Sequence, residues 1–153
     1  MAQFQMEFGE DFLDKLLNSD FDGIAEEALK EAIPVLEKSM KNQVQKVIQH
    51  DGESELVTSL RASKPKKTKT DAWIATVTPK GYSSVKVYRV KSGSGKKTYR
   101  KYKVSNALKA IWKEYGIPGR QAPRPFISAA TNAATPEVMQ KIQEVYNRKV
   151  GAK

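Results

Sequence analysis

Phe4, Met6 and Phe8 alternate with Gln3, Gln5 and Glu7. This period of two predicts a half-buried strand, which Gly9 ends. Asp11 to Asn18 is expected to form a short helix with Phe12, Leu13, Leu16 and Leu17 on one side. From Asp22 the period lengthens. Ala25, Leu29, Ala32, Leu36, Met40, Val44 and Val47 recur every three or four residues and draw one apolar stripe along a long helix. Asp22 is placed to cap it, and Glu26 and Glu27 sit in the first turns, where the positive end of the helix dipole favours acids. Pro34 interrupts the stripe. A proline inside a helix removes a backbone donor and costs ~3 kcal/mol, so a kink near Lys30 to Ile33 is expected within one element. Asp51-Gly52 is expected to close the helix, with Gly52 as a left-handed cap.

Glu53 to Ala62 predicts a further short helix with Leu56, Val57 and Leu60 inward, and the polar, Lys-rich Ser63 to Asp71 predicts a loop. Ala72 to Thr78 reads as a strand with Trp73, Ala75 and Val77 on one face. Pro79-Lys80-Gly81 is a turn. Ser84 to Lys91 is a second strand, Ser92 to Gly95 a flexible tip, and Lys97 to Val104 a third strand so basic that it is an edge or a projecting arm. Ser105 or Asn106 caps a helix running through Ala107, Leu108, Ile111, Trp112 and Tyr115, and Gly116 ends it. Pro125 to Ala134 is expected to be helical with Phe126, Ile127, Ala130 and Ala133 buried. Thr135-Pro136-Glu137 supplies a cap, a first-position proline and an early acid, so a separate last helix is expected, striped by Val138, Ile142, Val145 and Tyr146. The result is a single α+β domain over residues 1–153: an antiparallel sheet of three to four strands, packed by a long kinked helix and shorter C-terminal helices, with a basic hairpin arm at about 80–104.

Charge changes the picture. Residues 1–60 carry 13 acids against 5 bases, and residues 61–153 carry 22 bases against 4 acids, so halves of −8 and +18 make the net +10. Such a split suits a nucleic-acid partner or head-to-tail contact between copies; it equally suits a basic surface folded on its own acidic half. In the arm, Lys86, Arg89, Lys91, Lys96, Lys97, Arg100, Lys101 and Lys103 interleave with Tyr82, Tyr88, Tyr99 and Tyr102, a mixture that single-strand binders use. A hairpin produces the same alternation if tyrosines face a sheet and lysines face water. The chain has no cysteine, which excludes disulfides and thiolate metal sites and fits a reducing cytosol. No run reaches the ~20 apolar residues that span a bilayer, and Met1 to Glu10 does not have the form of a signal peptide.

Catalytic chemistry finds little footing. The single histidine, His50, stands at a helix end beside Asp51, where a capping role suffices. Gly93-Ser94-Gly95-Lys96-Lys97-Thr98 departs from the phosphate-loop pattern: Val90 stands at the required first glycine and Lys97 follows Lys96. The carboxylate pairs Glu10-Asp11 and Glu26-Glu27 lie near helix starts. No catalytic residue, cofactor site or metal ligand set is expected.

Ser54 to Arg61, with Leu56 and Leu60, then Glu114-Tyr115-Gly116, then Ala122-Pro123-Arg124-Pro125-Phe126-Ile127 with Ala129-Ala130, form an ordered set. In this order and spacing the chain resembles a family of small tailed-bacteriophage proteins, the head–tail connector, neck or tail-completion group. The match covers roughly residues 54–150, and the opening strand and long helix are also family-like. Ile117 departs from it, standing where the family often has threonine. The resemblance implies a non-enzymatic virion part between portal and tail, waiting in the host cytoplasm before it assembles as a ring. Its partners would be copies of itself, portal or head-completion proteins and tail proteins, with nonspecific DNA contact open. Arg89, Lys96, Lys97, Arg100, Lys101, Arg120 and Arg124 are the candidate assembly contacts. Leu56, Leu60, Glu114, Tyr115, Gly116, Pro123, Pro125 and Phe126 are the motif residues; Leu56, Leu60, Tyr115 and Phe126 are expected in the core. Arg124, held between two prolines, is expected either to bond internally, to loop carbonyls or a carboxylate such as Glu114, or to reach a neighbour. The other readings are a basic nucleic-acid-binding accessory protein of phage origin, and a prophage or contractile-particle component of the same fold.

Overall fold

Asp20 opens the longest helix. Its Oδ1 accepts the Gly23 N–H at 3.0 Å, and helix α1 spans Phe21–Val47. The cap is therefore Asp20, not Asp22. Gly23 explains the choice, because a Cβ there would lie 2.4 Å from Asp20 Oδ2. In the computed structural model the described residues are 20–48, 54–90 and 97–151. The strand expected at Phe4 to Phe8, the helix at Asp11 to Asn18, His50, the Asp51-Gly52 cap, the Ser92 to Gly95 tip and Lys96 lie outside them.

Pro34 sits inside one continuous α1, and the helix ends earlier than Asp51-Gly52: Ile48 is extended (φ −71°, ψ 133°) and its N–H returns to the Val44 carbonyl. Helix α2, Ser54–Ser59, is shorter than expected. The Thr58 and Ser59 hydroxyls donate to the Glu55 and Leu56 carbonyls, a local competition that disfavours further helix. Leu60 instead begins strand β1, Leu60–Ala62. The expected loop contains β2, Lys66–Lys67, and the expected strand at Ala72 to Thr78 is divided into β3, Trp73–Ile74, and β4, Val77–Pro79. The alternation survives the division: Trp73, Ala75 and Val77 are half-buried, and Ile74, Thr76 and Thr78 are exposed.

Strands β5, Tyr82–Val90, and β6, Lys97–Ser105, follow. Among the described residues the strands form three separate antiparallel pairs, β1 with β4, β2 with β3 and β5 with β6, in place of one sheet of three to four strands. Gly81, at φ +79°, turns the chain away after β4, and β5 then pairs over nine positions with β6 alone. Helix α3 is Asn106–Tyr115.

Helix α4 runs unbroken over Ile127–Gly151 with Pro136 inside it. Two helices were expected here. Pro136 lacks the N–H that would reach the Asn132 carbonyl, yet Ala130 and Ala134 before it and Val145 after it are all buried. Continuous packing outweighs the local start signal. Helices α1 and α4 lie antiparallel: Ser39 Oγ donates to the Ala130 carbonyl at one end, and Arg148 reaches Glu27 and Glu31 at the other. Met40, Val44, Leu56, Leu60, Ala110, Phe126 and Ala130 make the core, where the C-terminal half of α1 meets α2, α3 and the start of α4.

Candidate assembly interface

Phe126, just before α4, accepts its first helical bond, from the Ala130 N–H at 2.8 Å. A phenylalanine side chain cannot satisfy the free amides of a helix start. Glu114, in the last turn of α3, does so. Its Oε2 accepts the Phe126 and Ile127 amides at 2.8 Å each, and its Oε1 accepts the Ser128 amide at 3.2 Å and the Ser128 hydroxyl at 2.7 Å. Burial pushes this carboxyl up; the Ser128 hydroxyl and the three amides outweigh it and hold the group below its ordinary value. Glu114 is therefore not a partner for the Arg124 guanidinium. Arg124 ties in through its backbone, its N–H donating to the Lys113 carbonyl at 2.7 Å, while its side chain is half-buried.

Gly116 completes the joint. It caps α3 at φ 77°, and a Cβ would stand 2.6 Å from the Gln121 carbonyl oxygen and 2.8 Å from the Pro123 nitrogen. The chain folds back hard against it. Ile117 and Gln121 exchange backbone hydrogen bonds, and Gly119 turns between them at φ 69°. Pro123 and Pro125 are exposed on either side of Arg124, and Arg120 is exposed. Leu56, Leu60 and Phe126 are buried. The motif pieces separated in sequence thus meet in one place: Glu114 caps, Gly116 admits the returning chain, and Phe126 plugs the core.

Tyr115 does not join them. Expected in the core, it is 76% exposed. Leu108 and Ile111 are exposed as well, and the inward face of α3 is Asn106, Ala110, Lys113 and Glu114. Asn106 and Glu114 hold these positions because each finds several hydrogen-bond partners there. Ser105 caps α3, its hydroxyl accepting the Leu108 amide. Asn106 then accepts from the Ser83 hydroxyl at 2.7 Å and donates to the Lys80 carbonyl at 2.8 Å. It ties the base of the hairpin to α3. A local apolar count cannot detect such residues; the distance of their partners in sequence hides them.

Strands β5 and β6 pair with each other alone among the described strands. Their register sets Lys86 opposite Lys101, Tyr88 opposite Tyr99, Val90 opposite Lys97 and Ser84 opposite Lys103. Opposed residues share a face. Along the ladder, the Tyr88–Tyr99 pair thus lies between the Lys86–Lys101 and Val90–Lys97 pairs. Arg89 is paired with Thr98 and Arg100 with Val87. At the joint, Tyr115, Ile117, Pro118, Arg120, Gln121 and Pro123 line a shallow open depression.

Among the described residues no cluster of acids or histidines suits a metal ion, and no helix is long and apolar enough to cross a membrane. Comparison with models of known families, with curated proteins and with solved structures returns no match.

Proposed function

We propose that this chain is a structural part of a tailed-phage neck, assembling as a ring at the head–tail junction by protein–protein contacts. The observation that carries the reading is Tyr115: 76% exposed, it stands between a buried capping carboxylate and a glycine that admits no side chain. An aromatic ring is thereby presented from a stiff base, continuous with exposed Ile111 and Leu108. Exposed apolar groups on one helix face suit docking to another subunit. A ring needs one patch to meet a different patch on the next copy, and the −8 and +18 halves supply opposite charges. In this reading Arg89, Lys96, Lys97, Arg100, Lys101, Arg120 and Arg124 serve contacts with copies, portal or tail, and no molecule is transformed. Electron microscopy of assembled particles is expected to show a ring of this chain at the junction. Its absence from purified particles overturns the proposal.

The hairpin register favours a second reading, contact with nucleic acid, because lysine-bearing and tyrosine pairs alternate along one ladder, a mixture that suits phosphates and stacked bases. Counterion release then makes binding fall steeply with salt. A labelled oligonucleotide whose anisotropy stays flat at low salt removes this reading.

A further inference from the structure

Residues 60–80 carry six bases and one acid, Asp71. The β1–β4 and β2–β3 pairs run end to end as one ribbon, because between them the Ser63 amide donates to the Thr76 carbonyl at 2.8 Å. On one side of that bond Ala62 stands opposite Val77, and on the other Lys66 stands opposite Ile74. Residues 63–65 therefore oppose only 75 and 76, a bulge of one residue. The bulge keeps one face in water along the whole ribbon: Arg61, Lys64 and Lys66 on one strand, and Ile74, Thr76 and Thr78 on the other, are exposed. The opposite face lies on α1. Glu37 accepts the Ala62 amide at 2.8 Å, and Asp22 accepts from the Lys67 ammonium at 2.6 Å and the Trp73 indole N–H at 2.9 Å. The two carboxylates are fifteen positions apart, so the ribbon follows ~22 Å of helix.

These contacts sort the charges. Lys67 is taken up internally by Asp22 and Asp71, and Arg61 also attracts Glu37. Lys64, Lys66 and Lys69 are exposed and make no ion pair among the described residues. We infer that the outer face of this ribbon binds the phosphate backbone of duplex DNA through Lys64, Lys66 and Lys69. A protein partner would need an apolar centre, and Ile74, 37% exposed, is the one large apolar side chain on the face. A single strand would need rings to stack on, and Trp73 is turned inward to Asp22. The face offers cations and the hydroxyls of Thr76 and Thr78, the groups that donate to phosphate oxygens. Its length matches about six phosphates of one strand, spaced 3.4 Å along the axis. Nothing on it reads a base edge, so the contact is independent of sequence. The ribbon is a different surface from the α3 stripe and from the β5–β6 hairpin. The inference therefore stands apart from the ring reading and shares only its class of partner with the second reading.

The test is the fluorescence anisotropy of a labelled duplex of about 20 base pairs, titrated with the full chain over a series of salt concentrations. The unaltered chain is expected to bind at low salt. Changing Lys64, Lys66 and Lys69 together to glutamine removes three phosphate contacts. At ~0.9 per contact, the slope of log affinity against log salt is expected to become shallower by about 2.7, with an unchanged circular-dichroism melt. Lys66→Gln alone is expected to remove about 0.9, and it decides the matter if the triple variant does not fold. An unaltered slope overturns the inference, and so does an unaltered chain that binds no duplex. Poly-L-glutamate or anionic vesicles that displace the label as well as unlabelled duplex does also overturn it, because they point to an acidic protein or a lipid surface. The glutamine variant at Lys96, Lys97, Arg100 and Lys101 separates the two nucleic-acid surfaces. A slope moved by that variant and not by the ribbon variant removes this inference and spares the hairpin reading; the reverse result supports the ribbon and removes the hairpin.

Discussion

Glu114 closes the amino end of α4 from a different helix, and this role has a sign in pH. Its carboxyl sits below its ordinary 4.5 when folded, so it adds stability above that value. The contribution is lost as pH falls through the folded value. Glu114→Gln keeps the shape and removes the charge; it is expected to cost ~1–2 kcal/mol at neutral pH and to flatten the acid limb of the stability curve. Urea titrations between pH 3 and 7 check this, and a variant with the wild-type acid limb contradicts it. Gly116→Ala meets both a left-handed φ and a crowded Cβ, and is expected to cost ~1–3 kcal/mol. Phe126→Ala empties a buried site and is expected to cost ~3–5 kcal/mol in the same titration. At this scale the sequence was legible where a residue's role is local: Gly116 as a cap, Leu56 and Phe126 as apolar plugs. It was illegible where the partner is far along the chain. Glu114 bonds amides 12 to 14 residues onward, and Asn106 bonds a hydroxyl 23 residues back. By filling the inward face they turn Tyr115 out.

The elements divide by the length of their pattern. The stripes of α1 and α4 run over six or seven turns, and packing upheld them through both prolines. The Pro136 start signal is strong alone, yet the burial of Ala134 and Val145 on either side outweighs it. Pro136→Ala restores a donor to the Asn132 carbonyl and is expected to stabilise the fold by ~1–3 kcal/mol, measured as a higher midpoint in urea. A lower midpoint contradicts the continuous helix. The short strands were legible as alternation but not as pairing, because two- and three-residue ladders are set by turns such as Thr68 to Ala72 and Gly81. The β5–β6 pair carries Lys86 opposite Lys101, an arrangement of like charges that favours a counter-charged partner. Changing Lys96, Lys97, Arg100 and Lys101 together to glutamine is expected to leave the melt unchanged and to impair particle assembly or oligonucleotide retention. Unchanged yield and unchanged retention show a merely solvated arm.

Across the whole molecule, α1 and α4 form an antiparallel pair with its apolar plug at one end and its ion pairs at the other. Lys149 and Arg148 meet Glu27 and Glu31 there, all on the surface, where such pairs contribute little; Arg148→Ala is expected to leave the melting curve nearly unmoved. The opposite end holds Glu114, Gly116 and Phe126, so mutational sensitivity should be lopsided along the long axis. The same arrangement bears on handling the protein. Asp20 and Gly151 lie at the ion-paired end, away from the Glu114 joint. Dyes placed at Asp20 and Gly151 therefore stay clear of Tyr115 and sit close enough for strong energy transfer that drops when the two long helices part.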